Sequence, residues 1–223
     1  MARFVPWMFS FLFLFAMFRL PAPCEASQTP GGPSPPANGV LAPGLYATID
    51  TSMGQIVCRL LPSEAPKTVA NFEALANGTA SWTDPRDGKR KRSPFYDGLT
   101  FHRVIRDFMI QGGDPLGTGE GGPGYSIDDE ISQNLHFDKP GMLAMAKRSF
   151  PNSAGSQFFI TTAPAAWLEG KYAIFGQVVA GQEVVDKISQ LPTDSSDKPT
   201  TTVTIRKITV RAVEAPKQRA AHK

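Results

Sequence analysis

Short apolar runs, each closed within a few residues by glycine, proline or a polar turn, limit what this chain can fold into. Leu99–Val104, Phe108–Gly112, Met142–Ala146, Gln157–Thr161 and Ala173–Val179 are such runs. Glycine and proline number 20 each among 223 residues, which favours many short strands over a helical bundle. Two more strands, Tyr46–Asp50 and Gln55–Leu61, flank Thr51-Ser52-Met53-Gly54, a hairpin turn supplied with glycine. The last strand, Thr202–Val213, changes parity: Val203 and Ile205 fit one face, while Ile208, Val210 and Ala212 fit the opposite count. A bulge near Arg206-Lys207 reconciles them. Ser63 to Asn77 reads as a helix, with Ser63 as cap, Pro66 in the first turn, Gly78 beyond the end, and Val69, Phe72, Leu75 and Ala76 facing inward. Gln182–Leu191 reads as a second helix that buries Val184, Val185, Ile188 and Leu191 and stops before Pro192. The fold class is therefore mainly β. About eight strands and two helices emerge, and a closed eight-stranded antiparallel β-barrel capped by the two α-helices removes exposed edges for such a set. Composition alone leaves a sandwich open.

The ends differ from this middle. Arg3 precedes an apolar run from Trp7 to Phe18, which is followed by Arg19 and small residues. Such a run falls short of the ~20 residues that span a bilayer, and its flanks are those of a secretory signal. Residues 1–26 are read as a signal peptide cleaved after Ala26, with no membrane span afterwards, so the protein is exported, periplasmic or secreted. Lipid attachment at Cys24 is the alternative, with Pro23 just before it as the argument against, and an uncleaved anchor is a third. Residues 27–42 form a Pro/Gly-rich flexible linker, 43–213 the folded domain, and 214–223 a basic frayed tail. Loss of Arg3, Arg19 and Glu25 takes 23 basic against 20 acidic residues to 21 against 19, a balance that argues against a nucleic-acid partner. Cys58 would then be alone and without an internal disulfide.

Several motifs have plain readings. Gly117-Thr118-Gly119-Glu120-Gly121-Gly122 has the spacing of a dinucleotide loop, but Pro123-Gly124 forbids the helix that must follow, so the segment reads as a flexible loop. Arg86 and Lys89-Arg90-Lys91-Arg92 form a basic run that reads as a solvated loop, with a partner contact as the alternative. His102, His136 and His222 have no metal-ligand spacing, so neither a metal nor a cofactor is expected. Strand alternation points His102 away from Arg103. Ser153 and Ser156 stand in no nucleophile elbow. Asn77-Gly78-Thr79 is a glycosylation triplet of a kind that chance often supplies.

Phe101-His102-Arg103-Val104-Ile105-Arg106-Asp107-Phe108-Met109-Ile110-Gln111-Gly112-Gly113-Asp114 places a permanent cation among large apolar side chains. Burying it unpaired is costly, and a ligand carbonyl is the expected partner. Gln157 and Phe159 share one face of their strand and Phe158 takes the other, as the wall of a shallow groove would. This segment resembles the catalytic stretch of the cyclophilins, which are peptidyl-prolyl cis-trans isomerases. Gly141-Met142-Leu143-Ala144-Met145-Ala146 with Asn152–Thr161, and Trp167-Leu168-Glu169-Gly170-Lys171-Tyr172-Ala173-Ile174-Phe175-Gly176, match in the same order. The resemblance runs from Leu45 to Val213 and implies a cyclophilin-like barrel. It further implies Arg103, Phe108 and Gln111 as catalytic residues, and Met109, Ala146, Lys147, Gln157, Phe159, Trp167, Leu168 and Tyr172 as substrate-binding ones.

There are departures from the family pattern. Tyr172 falls where the family usually has histidine, Lys147 where asparagine is common, and Arg106 where proline is frequent. The implied partners are proline-containing polypeptide clients and, from Trp167, cyclosporin-like ligands; the implied state is a monomer. The implied activity speeds rotation about Xaa-Pro bonds of exported proteins with no covalent intermediate. Arg103 would stabilise the twisted imide, Gln111 would orient Arg103, and the backbone of Ala146 and Lys147 would hold the preceding residue. A proline-recognition chaperone without turnover is the competing reading.

Overall fold

The computed structural model describes residues 41–215; the expected leader with Cys24, most of the 27–42 linker and nearly all of the 214–223 tail lie outside the described residues. Strands β1 (Gly44–Thr51) and β2 (Gly54–Leu60) form the expected hairpin and lead into α1 (Pro66–Ala76). Two-residue strands β3 (Trp82–Thr83) and β4 (Arg90–Lys91) make a small separate hairpin. Then follow β5 (Phe101–Ile105), β6 (Met109–Gly112), β7 (Met142–Met145), β8 (Phe158–Thr161), a short helical turn (Ala166–Leu168), β9 (Ile174–Ala180), α2 (Gln182–Ser189) and β10 (Ile205–Val213). No helix among the described residues is long and apolar enough to cross a membrane.

Eight strands form one antiparallel sheet in the order β10-β1-β2-β9-β7-β8-β6-β5. The sheet is an open half-barrel rather than the closed barrel expected. Its outer strands β5 and β10 share no ladder, and the chain meets across the gap at the start of β10 and just ahead of it. Phe101 N–H donates to Val203 O at 3.1 Å and Ile205 N–H to Leu99 O at 2.7 Å, with a bridge at Thr100 and Thr204. Three residues further along β5, Val104 N–H bonds a turn, at Asp197 O, 2.8 Å away. That turn occupies the place a continuous ladder would need. The free edge of β10 is partly covered: Asn77 donates to Val210 O and accepts from Val210 N–H, both at 3.1 Å. The glycosylation triplet therefore begins at an amide already engaged with a strand edge, a common liability in sheets.

Alternation along the strands builds two apolar clusters. Ile110, Leu143, Met145, Phe158, Ile160 and Phe175 enter the main core beneath α1 and α2. Their chain neighbours Met109, Met142, Ala144, Phe159 and Ile174 enter a second cluster on the other side of the sheet. Phe72 of α1 anchors the first, with ring centroids 5.2 Å from Tyr96, 5.7 Å from Phe158 and 5.1 Å from Phe175. The bulge expected near Arg206-Lys207 is present: Asp50 pairs with Lys207 and Thr51 with Ile205, leaving Arg206 as the extra residue. Cys58 is fully buried, and burial pushes its thiol up to about 12, so it is unreactive near neutral pH.

Ser63 does not cap α1. The helix starts at Pro66, and the capping position Ala65 makes no side-chain bond. The cap comes from a distant loop instead. Glu130 accepts from Lys67 N–H at 3.1 Å and from Thr68 N–H and Thr68 Oγ1, both at 2.8 Å. A carboxylate there satisfies orphan amides and faces the positive end of the helix. Glu130→Ala is expected to cost about 1 kcal/mol, seen as a lower urea midpoint with an unchanged m-value.

Candidate functional site

The direction of Arg103 is set by an irregularity in its strand. Phe101 pairs with Gly112, but Arg103 pairs with the very next residue of β6, Gln111. His102 is therefore an extra residue in β5. In an unbroken pleat that kept His102 in register, Phe101 and Arg103 would share a face and the arginine would point into the main core. With His102 as the extra residue, Phe101 is buried in that core while Arg103 lines a groove on the opposite side. His102 also lines the groove, contrary to the alternation expected of a regular strand. It is buried, neither ring nitrogen has a hydrogen-bond partner among the described residues, and burial holds its pKa below the ordinary range. Its neutral form prevails at neutral pH.

The groove encloses about 460 Å³. Of the eleven residues expected at the site, Arg103, Phe108, Met109, Gln111, Ala146, Lys147, Phe159, Leu168 and Tyr172 line it. Met109, Phe159 and Leu168 are buried and belong to the second apolar cluster, which serves as the floor. Phe137, missed in the sequence, stacks under Phe159 with centroids 6.0 Å apart and planes 15° apart. Tyr172 meets Phe159 edge-on at 5.6 Å. Trp167 is not a lining residue. It is 57% exposed and leans on Phe108, centroids 5.3 Å apart, at the rim.

Gln157 faces an adjoining cavity of about 640 Å³, which shares Gln111, Ala146 and Lys147 with the groove. It links three parts of the wall. Gln111 Nε2 donates to Gln157 Oε1 at 2.9 Å, and Gln157 Nε2 donates to Gly119 O and Gly121 O, both at 2.8 Å. Thus the amide of Gln111 turns to Gln157, and the side chain that meets Arg103 is Asp197, with Nε donating to Oδ2 at 3.3 Å. Ala146 N–H is already bonded to Gln157 O at 2.9 Å, which leaves its carbonyl as the group able to receive a peptide. Lys147 turns its ammonium to Asp129, so its charge is matched away from the reacting position.

The glycine-rich segment is not the flexible loop expected of its composition. Buried Asp114 accepts from Leu116 N–H at 2.7 Å, Thr118 N–H at 2.9 Å and Gly119 N–H at 2.6 Å. The basic run is likewise organised by a buried carboxylate. Asp84 binds Arg86 and Lys91, each at 2.6 Å, while Arg92 Nε donates to Thr79 O. Lys89 and Arg90 stay exposed at the tip. The turn bearing Asp194, Ser196 and Lys198 also lines the groove. The only sequence signal there was a run of polar turn residues.

Residues 46–210 match the family model described as cyclophilin type peptidyl-prolyl cis-trans isomerase/CLD. Peptidyl-prolyl cis-trans isomerase B of Streptomyces anulatus is 51% identical over 173 residues, covering 76% of this chain and 98% of that one. Peptidyl-prolyl cis-trans isomerase A of Mycobacterium tuberculosis is 49% identical, covering 74% of this chain and 91% of that one. A crystal structure of a Cryptosporidium parvum cyclophilin type isomerase, obtained in the presence of the dipeptide Ala-Pro, superposes with a TM-score of 0.65 at 37% identity. It covers 74% of this chain and 98% of that one.

Proposed function

The chain belongs to the cyclophilin-type peptidyl-prolyl cis-trans isomerase family, and on that footing we propose that it speeds Xaa-Pro rotation in exported proteins with Arg103 acting on the twisted imide. The observation that carries this reading is a guanidinium held by Asp197 beside an apolar floor in one groove. Rotation breaks amide resonance at a barrier of about 18–20 kcal/mol. For Xaa-Pro the two ends are nearly equal in energy, so uncatalysed exchange takes tens to hundreds of seconds. No proton transfer or nucleophile is needed. Met109, Phe159 and Leu168, with Phe108 at the side, form a slot suited to a proline ring.

As the bond twists, the imide nitrogen loses conjugation and gains a lone pair. Hydrogen bonds from the guanidinium to the prolyl carbonyl hold its charge beside that nitrogen, where it stabilises the lone pair. Donors preset for that state lower the barrier more than they favour the planar substrate. A gain of about 7 kcal/mol corresponds to roughly five powers of ten in rate. Gln111 and the carbonyl of Ala146 receive the peptide on the preceding side. Proline-containing polypeptides are the clients and the protein acts as a monomer. The exposed ring of Trp167 is the contact for cyclosporin-like ligands. Delivery follows cleavage after Ala26, with lipid on Cys24 as the alternative; the intact mass of the exported form separates the two.

Exchange NMR on a short Xaa-Pro peptide tests the central reading. Micromolar full-length protein should broaden and merge the cis and trans signals. Unchanged exchange rates would leave a proline-binding module without turnover.

A further inference from the structure

We propose that Asp197 is a positioning residue that aims Arg103, and that the turn from Thr193 to Pro199 serves to deliver it. The inference rests on the reading that Arg103 acts on the twisted imide. Asp197 stands 94 positions beyond Arg103 and reaches it from a separate segment. Its carboxylate accepts the Nε–H of Arg103 at 3.3 Å. Its carbonyl accepts Val104 N–H at 2.8 Å, so its backbone is fastened to β5 directly beside the arginine.

The turn itself is braced. Asp194 Oδ1 accepts from Ser196 N–H at 2.8 Å and Lys198 N–H at 3.0 Å, and Asp197 N–H donates to Asp194 O at 3.1 Å. A bridge between Thr193 and Pro199 closes its base. Asp197 has φ 61°, a left-handed conformation that side chains adopt seldom, with Asp and Asn among the tolerated ones. Such strain is held only where surrounding bonds determine it.

Geometry supplies the role. A guanidinium is planar, with five donors in a rigid fork. Fixing Nε by a backbone-anchored acceptor sets the plane and leaves the Nη donors free for a substrate carbonyl. Stability is a poor explanation for the contact. The two side chains are 42% and 44% exposed, and exposed ion pairs contribute little to folding. What the pair does supply is direction, and misaligned catalytic groups lose rate steeply.

The test uses the full chain with Asp197→Gly, which tolerates the turn but lacks the carboxylate, and Asp197→Asn, which keeps the conformation and an oxygen acceptor. Asp197→Gly should lower kcat/KM about ten- to a hundredfold, mostly in kcat, with Asp197→Asn retaining more. The Arg103 Nε–H resonance should exchange slowly with solvent in the parent and quickly in Asp197→Gly. In an Arg103→Lys background Asp197→Gly should add little, since lysine has no fork to aim. A loss in that background equal to the loss in the parent would make Asp197 a scaffold residue only. Activity within twofold of the parent would overturn the proposal, as would an equal loss in Asn and Gly variants, which would assign the effect to charge. If Asp197→Gly does not fold, Asp197→Asn and its Nε–H exchange decide alone. Retained activity in Arg103→Ala would instead defeat the reading beneath the proposal, which keeps the two failures apart.

Discussion

Arg103→Ala is expected to lower kcat/KM for Xaa-Pro exchange by about 10²–10³-fold, the usual cost of removing a preset donor to developing charge. The fold should be unaffected. The side chain is 42% exposed, and its carboxylate partner, 44% exposed, is rehydrated once the arginine is gone. No buried charge is stranded, so the large penalty for breaking a buried pair does not apply. The apolar floor of Met109, Phe159 and Leu168 is left intact, so peptide affinity should change little and the loss should fall on kcat. Arg103→Lys should recover only part of it, because an ammonium on a flexible stem lacks the planar fork. Exchange NMR at saturating peptide, with a urea melt as control, measures both terms. A truncated variant within threefold of the parent would remove Arg103 from the mechanism.

Asp114→Ala is expected to damage stability and turnover together. Its carboxylate organises the loop whose Gly119 and Gly121 carbonyls hold Gln157, and Gln157 in turn holds Gln111. Each buried donor left unmade costs about 1–3 kcal/mol, and partial hydration of the loop should keep the total to about 2–4 kcal/mol. Gly121→Ala should act alike, because a Cβ there would lie 1.9 Å from Asp114 Oδ1.

The pH dependence has a definite sign. Burial pushes the Asp114 carboxyl up, but the amides of Leu116, Thr118, Gly119 and Gly121 outweigh it and hold its pKa below the usual carboxylate range. Asp84 is held low by its bond to Arg86, with Lys91 adding to it. A depressed folded pKa stabilises the native state fully above the unfolded value of about 3.9, and the benefit drains away as pH falls through the lower folded value. Thermal melts should therefore show Tm falling in acid, with a shallower fall in Asp114→Asn. An unchanged slope in that variant would remove Asp114 as a source of the acid sensitivity.

Local patterns in the sequence carried the fold well. Val69, Phe72 and Leu75 marked the face that α1 buries. The parity change between Ile205 and Ile208 forced a bulge, and Arg206 is its extra residue. Alternation of Phe158 against Phe159 placed one ring in the core and the other in the groove, as found. What stayed hidden was carried by long-range partners. Glu130 caps a helix whose local sequence offered Ser63, and Asp197 meets Arg103 across 94 positions. A buried carboxylate turns a glycine-rich string into a fixed wall, although the string itself looks supple. The extra residue at His102 left no clear mark because Val104 and Ile105 are both apolar and either count fits the strand.

That single irregular step in β5 bears on any attempt to rebuild this protein. A designer who restored an unbroken pleat while keeping every residue would rotate Arg103 from the open cleft into the hydrocarbon interior. The direction of Arg103 is thus set by chain length as much as by local chemistry. Alterations by one residue ahead of it would be felt more sharply than many changes of residue type.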